Sequence, residues 1–473
     1  MCKFDFSWLA LLTVSLLGSM CLAQETSRVQ EAQAKQNLPN IVLILSDDQA
    51  WTDYSYMGHA EIETPNLDAL AKQSALFRRG YVPTALCRPS LMTIITGRYA
   101  HQHGITGNDP SPKYAKRGSD KNNQQRAGLI AKVDRYPTIA KLLAEHGYQC
   151  HQSGKWWEGS FQRGGFTHGM TRGFPKLGGR HGDDGLKIGR EGIEPVTEFI
   201  DGAVAAKKPF FVWYAPLMPH FPHQPPERLL KKYKDKVESE SVAKYYAMCE
   251  WFDGTCGQLV DHLDDKKLRE NTLIVYVCDN GWIQNPKSRG YMPRSKQTPY
   301  EGGVRTPISF CWLGKIAPSD RPELCSSIDL APTLLAAVGI QADSDLPGLN
   351  LWPALTEGQS IERKALFGET FAHDIADINE PEASLMYRWC IEGKWKLLLT
   401  YDGEAFTNAA KFPRTDKRPQ LFDLIADPHE AKNVAGENPA VVAELAAKIK
   451  QWYPLKERKT VERWAEEAVG SWP

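Results

Sequence analysis

Three uninterrupted apolar runs constrain the fold of this chain more than any other feature of its sequence. They occupy residues 41–45, 210–214 and 272–277, and branched or aromatic side chains dominate them. A strand with one solvated face alternates apolar and polar residues, whereas a strand of a parallel sheet that is covered on both faces is apolar throughout. Helical patterns at 138–146 and 328–338 are interleaved with the runs. The predicted fold class is therefore α/β, with a central, mostly parallel sheet between layers of helices.

The pattern changes near residue 376, which predicts a second, smaller domain. Residues 387–391 and 395–399 lie on either side of Gly393 and are typical of a β-hairpin, and a helical pattern covers residues 440–452. We therefore predict a large domain at residues 39–375 and a C-terminal α+β domain with an antiparallel sheet at residues 376–473.

The N-terminal residues have the composition of a secretory signal peptide. Lys3 precedes an apolar run at residues 8–17, which is too short to cross a bilayer, and small residues near Ala23 suit cleavage before Gln24. We expect a signal peptide at residues 1–23, a polar, mobile segment at residues 24–38, and a periplasmic or secreted protein that is not an integral membrane protein. Lipid attachment at Cys21 stays open as an alternative.

Charge and cysteine usage exclude several classes of partner and site. The chain has 57 basic and 57 acidic side chains, so net charge gives no reason to expect nucleic acid as a partner. Cys2 and Cys21 precede the expected cleavage site, which leaves eight of the ten cysteines, and no two of them have Cys-x-x-Cys spacing. Zinc clusters and redox dithiols are therefore not expected.

Polar side chains follow the predicted strands where each strand ends. Asp47 and Asp48 follow the first run, His220 follows the second, and Asp279 and Asn280 follow the third. Ligands of parallel sheets bind at the carboxyl ends of the strands, so we expect these side chains to collect in one place. Carboxylate and amide oxygens suit a hard cation such as Ca²⁺ or Mg²⁺, although solvated loop acids are the alternative. Both aspartates can reach one ion only if the chain has already turned out of the strand.

A Cys-Arg-Pro-Ser-Leu segment that begins at Cys87 supplies a second signal. Pro89 suits the first turn of a helix, apolar residues recur at helical spacing, and Gly97 is a stop signal. Cys87 would then lie at a helix N-terminus, where free N–H groups and the helix dipole favour anions. The alternative is a buried structural cysteine beside an ordinary helix.

This segment resembles the motif of type I sulfatases, which reads Cys-x-Pro-Ser-Arg, three further residues and Leu-Thr-Gly. In that family a maturation enzyme oxidises the cysteine to formylglycine, and the hydrate of this aldehyde attacks sulfur. The resemblance implies formylglycine at Cys87 and an alkaline phosphatase-like fold with a large, mixed but mostly parallel sheet. It also implies that residues 39–375 form the catalytic domain.

The resemblance extends over most of the chain and implies a metal site. Asp47 and Asp48 match the family's first pair of metal ligands, and Asp279 and Asn280 match its second pair. The modified Cys87 is expected to bind the same ion. The family's metal is Ca²⁺, which we therefore favour over Mg²⁺.

Three further matches imply roles in catalysis beside Cys87. Lys155, in Gly-Lys-Trp-Trp-Glu-Gly, resembles the lysine of the family's Gly-Lys-Trp-His-x-Gly segment, and Lys296 matches its second sulfate-binding lysine. His220, in Pro-His-Phe-Pro, matches the histidine that protonates the leaving group.

Two residues depart from the family pattern. Leu91 stands where the family has an arginine that holds the hydrated aldehyde, and Trp157 stands where it has a histidine that assists turnover. Glu158 and His223 are candidates for a substitute base. Trp156 and Trp157 offer flat apolar faces on which a sugar ring could lie, which favours sulfated carbohydrate as the substrate.

The sequence therefore predicts a sulfuric ester hydrolase that acts on sulfated carbohydrate. A phosphoester or phosphonate hydrolase of the same superfamily is one alternative, because a divalent cation and two lysines suit either anion. A non-catalytic sulfoglycan-binding relative, in which Cys87 is never oxidised, is the other.

Overall fold

The computed structural model describes residues 38–174, 181–401 and 418–455 of the chain. The predicted signal peptide at residues 1–23 lies outside these ranges, as do residues 24–37 of the predicted mobile segment and residues 402–417 and 456–473 of the predicted C-terminal domain. None of the helices in the described ranges combines the length and the apolar character that crossing a membrane requires.

The described residues contain sixteen β-strands. In chain order they are β1 (Asn40–Ser46), β2 (Ala75–Phe77), β3 (Gly80–Tyr81), β4 (Asp109–Pro110), β5 (Gln149–Gly154), β6 (His168–Gly169), β7 (Phe210–Ala215), β8 (Thr272–Cys278), β9 (Ile308–Cys311), β10 (Ser319–Arg321), β11 (Cys325–Ser326), β12 (Leu366–Phe371), β13 (Asp374–Ile375), β14 (Leu385–Glu392), β15 (Trp395–Thr400) and β16 (Gln420–Asp423).

The same ranges contain twelve α-helices. In chain order they are α1 (Pro65–Lys72), α2 (Cys87–Thr96), α3 (Ala100–His103), α4 (Asp120–Ile130), α5 (Ile139–Glu145), α6 (Glu194–Ala205), α7 (Glu227–Lys234), α8 (Glu240–Asp265), α9 (Glu301–Val304), α10 (Leu330–Ala337), α11 (Trp352–Thr356) and α12 (Pro439–Trp452).

Eight strands form the central sheet, in the order β10-β2-β9-β8-β1-β7-β5-β6. Strand β1 is parallel to both of its neighbours, β7 and β8. Only β9 among the eight runs in the opposite direction, since it is antiparallel to β2 and to β8. The predicted α/β fold with a mixed, mostly parallel sheet is confirmed.

The apolar runs are continuous because both faces of the sheet are covered. In β1, Ile41 and Leu43 belong to one buried cluster, whereas Val42 and Ile44 belong to another on the opposite face. Helices α2, α5 and α10 contribute side chains to the first cluster, and α1, α6 and α8 contribute to the second. Successive strand residues point to opposite faces, so each position in the run must be apolar.

A second, four-stranded sheet in the order β12-β14-β15-β16 forms the small C-terminal layer. The predicted hairpin is the antiparallel pair of β14 and β15, and the predicted C-terminal helix is α12. Strand β12 supplies the first strand of this sheet and precedes residue 376, so the predicted domain border falls between the first two strands of the sheet.

A buried ionic triad joins the small layer to the central domain. Lys396 in β15 lies 2.8 Å from Glu301 Oε1 and 3.0 Å from Glu430 Oε1. The backbone N–H of Glu301 donates to the second oxygen of Glu430 at 2.6 Å. Glu301 opens α9, only five residues after Lys296, so the triad fixes the segment that carries this predicted catalytic lysine.

Gly154 ends β5 and directly precedes Lys155. Its φ is +80°, a left-handed conformation that favours glycine, and a Cβ added here would approach the carbonyl oxygen of Ala215 within 1.7 Å. The next residue is held by the same carbonyl, because the Lys155 N–H donates to Ala215 O at 2.8 Å. The absence of a side chain at residue 154 therefore determines where Lys155 leaves the sheet.

We expect Gly154→Ala to destabilise the protein by about 1–3 kcal/mol through the left-handed φ alone, and to reduce activity by displacing Lys155. The matched control is Gly202→Ala in α6, where a Cβ meets nothing within 4 Å. This change should be neutral or stabilise by up to about 1 kcal/mol. Urea denaturation of both variants measures the effects, and equal midpoints would contradict the assignment.

Candidate active site

The two adjacent aspartates reach the same site because the chain turns between them. Asp48 has a φ of +62°, which takes it out of the extended conformation of β1. The Asp47 N–H donates to Met218 O at 3.0 Å, and the Asp48 N–H donates to Asp279 Oδ1 at 3.3 Å. The Asp279 N–H in turn donates to Ser46 O at 2.9 Å. Backbone contacts therefore connect the ends of β1, β7 and β8, as the sequence predicts.

Cys87 is the first residue of α2 and lies in this cluster. Its thiol donates to Asp47 Oδ1 at 3.8 Å, and the Lys296 ammonium donates to its sulfur at 3.2 Å. Only 1% of the residue is exposed. Burial raises the pKa of the thiol to about 12, although the charges of Lys155 and Lys296 favour the thiolate. The thiol is therefore protonated at neutral pH.

Both predicted catalytic lysines form buried ion pairs with the aspartates. Lys155 Nζ lies 2.6 Å from Asp47 Oδ2 and 4.0 Å from Asp279 Oδ2, and Lys296 Nζ donates to Asp48 Oδ1 at 2.5 Å. Burial alone would lower the pKa of each lysine, but the carboxylates of Asp47 and Asp48 raise the pKa of Lys155 and Lys296, respectively. Both side chains therefore stay cationic in the interior.

His220 lies at the edge of the cluster, and a quarter of its side chain, 25%, is exposed. Its Nε2 is 3.4 Å from Asp48 Oδ2. Burial lowers the pKa of His220 to about 4, while the charges of Asp47 and Asp48 oppose this shift. The exposed edge of the ring and its contact with the cluster suit proton transfer to a bound molecule.

Arg190 holds the loop that carries His220. Its guanidinium donates to the carbonyl oxygens of Leu217 at 2.7 Å, His220 at 2.8 Å and Pro222 at 3.0 Å. Three carbonyls bound by one planar cation leave the loop little freedom. The sequence gives no signal for this role of Arg190, because Arg190 lies thirty residues before His220 in a segment without a recognisable motif.

The cluster has the donor atoms of a metal site. Asp47, Asp48, Cys87 and His220 each offer a ligand atom within 4.8 Å of those of the others. The side-chain oxygen of Asn280 is buried and has no hydrogen-bond partner among the described residues. Three of the five predicted ligands thus lie in one tight group, and His220 joins them.

Asp279 and Asn280 lie next to this group. The Asn280 amide donates to Asp48 Oδ1 at 2.7 Å. Burial, followed by the negative charge of Asp47, raises the pKa of Asp279 well above its ordinary value. A divalent cation among these carboxylates would offset their repulsion, so the residues present fit a hard cation. Asp279 and Asn280 stay predictions as ligands.

The carbohydrate platform predicted at the two tryptophans is wrong. Trp156 is 2% exposed and Trp157 is 5% exposed. The ring of Trp156 packs edge-on against Phe166 and Trp213, with ring centroids 5.4 and 6.2 Å apart, and Trp157 lies 5.2 Å from the His181 ring. Neither indole offers a free face to a sugar, because both rings are packed in the hydrophobic core.

Glu158 is not free to replace the missing base. Both of its oxygens accept hydrogen bonds from Arg88 at 2.7 Å. Leu91, at the position of the family's arginine, is buried in the hydrophobic core instead of reaching the cluster. The second candidate base, His223, packs 5.4 Å from the Tyr245 ring, and burial lowers its pKa to about 4.

Comparisons with known proteins agree with this geometry. The family model described as Sulfatase matches residues 39–340, and the model described as N-sulphoglucosamine sulphohydrolase, C-terminal, matches residues 294–456. Arylsulfatase A from Homo sapiens is 28% identical over 474 residues, with 88% of this chain and 87% of the relative covered.

Two further similarities cover much of the molecule. The N-acetylgalactosamine-6-sulfatase of Canis lupus familiaris is 29% identical over 371 residues, which cover 70% of this chain and 68% of the relative. The crystal structure of Ps i-CgsB in complex with k-i-k-neocarrahexaose has a TM-score of 0.69 at 25% identity, with 88% of this chain and 92% of that chain covered. Because the first family model alone spans more than half of the sequence, the chain belongs to the sulfatase family, enzymes that hydrolyse sulfate esters on an alkaline phosphatase-like fold.

Proposed function

We propose that this sulfatase hydrolyses sulfated carbohydrates with a formylglycine derived from Cys87 and one bound divalent cation, with Ca²⁺ favoured over Mg²⁺. The observation that carries the proposal is the position of Cys87, whose sulfur lies 3.2 Å from Lys296 Nζ and 3.8 Å from Asp47 Oδ1 at the carboxyl end of the sheet. Two relatives support a carbohydrate substrate, since one is named N-acetylgalactosamine-6-sulfatase and the other was solved in complex with k-i-k-neocarrahexaose.

The unmodified thiol is a poor nucleophile at this position. Its pKa of about 12 keeps it protonated, and a protonated thiol does not attack. A formylglycine at residue 87 would supply the hydroxyl of a hydrated aldehyde as the nucleophile. The N-terminus of α2, where this group begins the helix, favours the negative charge that develops during attack.

Lys155 and Lys296 bind the sulfuryl group in this proposal. Both ammonium groups remain charged in the interior, and both approach the Cys87 cluster from different loops. Fixed cations in a water-excluded site stabilise charge that builds up on the equatorial oxygens. Asp47, Asp48, Asp279 and Asn280, with residue 87, would hold the cation, which would supply further positive charge at the sulfuryl oxygens.

His220 acts as the acid in this proposal. The hydroxyl at residue 87 would form a bond to sulfur while the bond between sulfur and the ester oxygen breaks, and the sugar oxygen would take up the proton that His220 Nε2 delivers. Residue 87 would then release sulfate as its aldehyde re-forms, and water would hydrate the aldehyde again, so ester and water give the sugar alcohol and sulfate. The loop held by Arg190 keeps the imidazole next to Asp48. Burial lowers the pKa of His220 to about 4 against the charges of Asp47 and Asp48, so the acid form has to be favoured further by the negative charge of the bound sulfate ester. The proton of the attacking hydroxyl would pass to Asp47, whose Oδ1 accepts from the Cys87 thiol.

The proposal includes a periplasmic or secreted location and a maturation enzyme as partner. Both rest on the sequence: the location on residues 1–23, and the partner on the resemblance of the Cys87 segment to the sulfatase motif.

A panel of aryl sulfate, aryl phosphate and phosphonate ester distinguishes the proposed sulfatase from a phosphoester or phosphonate hydrolase. Hydrolysis of the phosphorus esters without the sulfate would refute the proposed substrate class.

The first prediction concerns the modification. Protein from a host with an active maturation system should carry an aldehyde at residue 87, detected by mass spectrometry after reaction with a hydrazide. All eight described cysteines are free, so a thiol titration of the denatured mature chain should detect one thiol fewer than eight. Cys87→Ala should abolish activity.

Cys256→Ala is the matched control, because Cys256 is equally buried but lies in α8. It should keep both the aldehyde and the activity. Intact thiol at residue 87 in active enzyme would refute the formylglycine.

The second prediction concerns the metal. Removal of divalent cations should abolish activity and lower the Tm, and Ca²⁺ should restore both, since a ligand at a hundred times its Kd stabilises by about 2.7 kcal/mol. Asp48→Asn should remove the response to Ca²⁺. Asp345→Asn, a change at a surface ion pair with Arg98, should keep it. A Tm that neither Ca²⁺ nor Mg²⁺ shifts would refute the metal site.

The third prediction concerns the leaving group. His220→Ala should lower kcat/KM for a sulfated sugar by about 10²–10⁴-fold, the usual range for loss of a general acid. The loss for 4-nitrophenyl sulfate should be much smaller, because 4-nitrophenolate departs without a proton. His262→Ala, which removes a histidine paired with Asp201, is the control and should leave both rates unchanged. Equal losses on both substrates would contradict the acid role.

A further inference from the structure

A buried ion pair joins two positions that the sulfatase motifs leave unspecified. Arg88 occupies the x of Cys-x-Pro-Ser-Arg, and Glu158 occupies the x of Gly-Lys-Trp-His-x-Gly. Arg88 Nε and Nη2 donate to Glu158 Oε1 and Oε2, each at 2.7 Å. The side chains are 3% and 2% exposed. This is the bidentate geometry in which arginine and a carboxylate define each other's position most closely.

The pair is anchored at both ends. The Arg88 N–H donates to Asn108 Oδ1 at 3.1 Å, and Arg88 Nη1 donates to Asn108 O at 3.1 Å. Glu158 follows Trp156 and Trp157, whose rings are packed in the interior. The ion pair therefore connects two rigid segments. One begins with Cys87, immediately before Arg88, and the other carries Lys155, three residues before Glu158.

Such a pair contributes more to geometry than to stability. The desolvation of two buried charges offsets most of their attraction, so an apolar pair of similar volume is often as stable. A catalytic group that is displaced by about 1 Å can lose about a hundredfold in rate. This chain also lacks an arginine at residue 91, and the leucine at that position packs into the core.

We propose that Arg88 and Glu158 are positioning residues, whose ion pair holds residue 87 at the distance from Lys155 that attack on sulfur requires. Neither side chain touches substrate in this proposal. The inference rests on the proposed function of Cys87 and Lys155, and it assigns to this chain an internal support that the family motifs do not specify.

The experiment compares Glu158→Gln and the double variant Arg88→Met/Glu158→Met with wild-type enzyme on 4-nitrophenyl sulfate. Glutamine keeps the shape of Glu158 and an acceptor oxygen, and the double variant leaves no unpaired buried charge. Rates are divided by the aldehyde content at residue 87, because Arg88 lies next to the modified position. We expect kcat to fall by about 10–100-fold while KM changes little. The kcat of Arg88→Lys, which keeps the charge but loses the bidentate contact, should lie between that of the double variant and that of wild type.

A double-mutant cycle with Lys155→Ala separates positioning from a general structural role. If the ion pair acts through Lys155, its removal in the Lys155→Ala background should cost almost nothing further. The matched control is Arg363→Met, which breaks another buried ion pair, that of Arg363 with Asp329 at 2.5 Å. It should lower the Tm and leave kcat unchanged.

The outcomes distinguish this inference from the proposed function. A wild-type kcat per aldehyde in Glu158→Gln and in the double variant, or equal fold losses with and without Lys155, would overturn the positioning role alone. Wild-type enzyme that hydrolyses no sulfate ester at all would instead refute the proposed function, and the positioning role with it.

Discussion

Buried charge at the carboxyl end of the central sheet is the constraint to which the neighbouring structure is adapted. Lys155 lies 2.6 Å from Asp47 and Lys296 lies 2.5 Å from Asp48, and all four side chains are buried. Desolvation of each ion costs on the order of several kcal/mol, and only close pairing offsets it. The loops that carry these side chains must therefore be held by their own backbone contacts. Gly154 and the turn at Asp48 serve this requirement directly.

The parallel arrangement of β7, β1 and β8 is what makes such pairing attainable. Adjacent parallel strands end at the same edge, so residues that are far apart in sequence meet there. Asp47 and Asp279, which follow β1 and β8, are linked through backbone contacts between their strand ends. Arg190 and the triad around Lys396 then hold the two loops that the sheet alone does not fix.

Most of the fold and the location of the site could be predicted from the sequence, because both depend on local patterns. Continuous apolar runs indicate covered strands, and the polar residues after them indicate an edge where ligands bind. The contact between Arg88 and Glu158 could not be predicted, since it joins residues 70 positions apart in the sequence. The burial of Trp157 could not be predicted either, because it depends on how the segment after β5 packs into the core. The predicted border places β12 in the large domain, because only its pairing with β14 shows that it belongs to the small sheet.

The burial of α2 bears on when the proposed modification of Cys87 can take place relative to folding. All ten residues of this helix are buried, and Cys87 lies beneath the ends of three strands. If Cys87 is converted to formylglycine as proposed, the converting enzyme would need the peptide around Cys87 in its own active site, which the folded molecule does not allow. The proposed oxidation would then have to precede folding. Variants that fold faster would leave less time for the conversion.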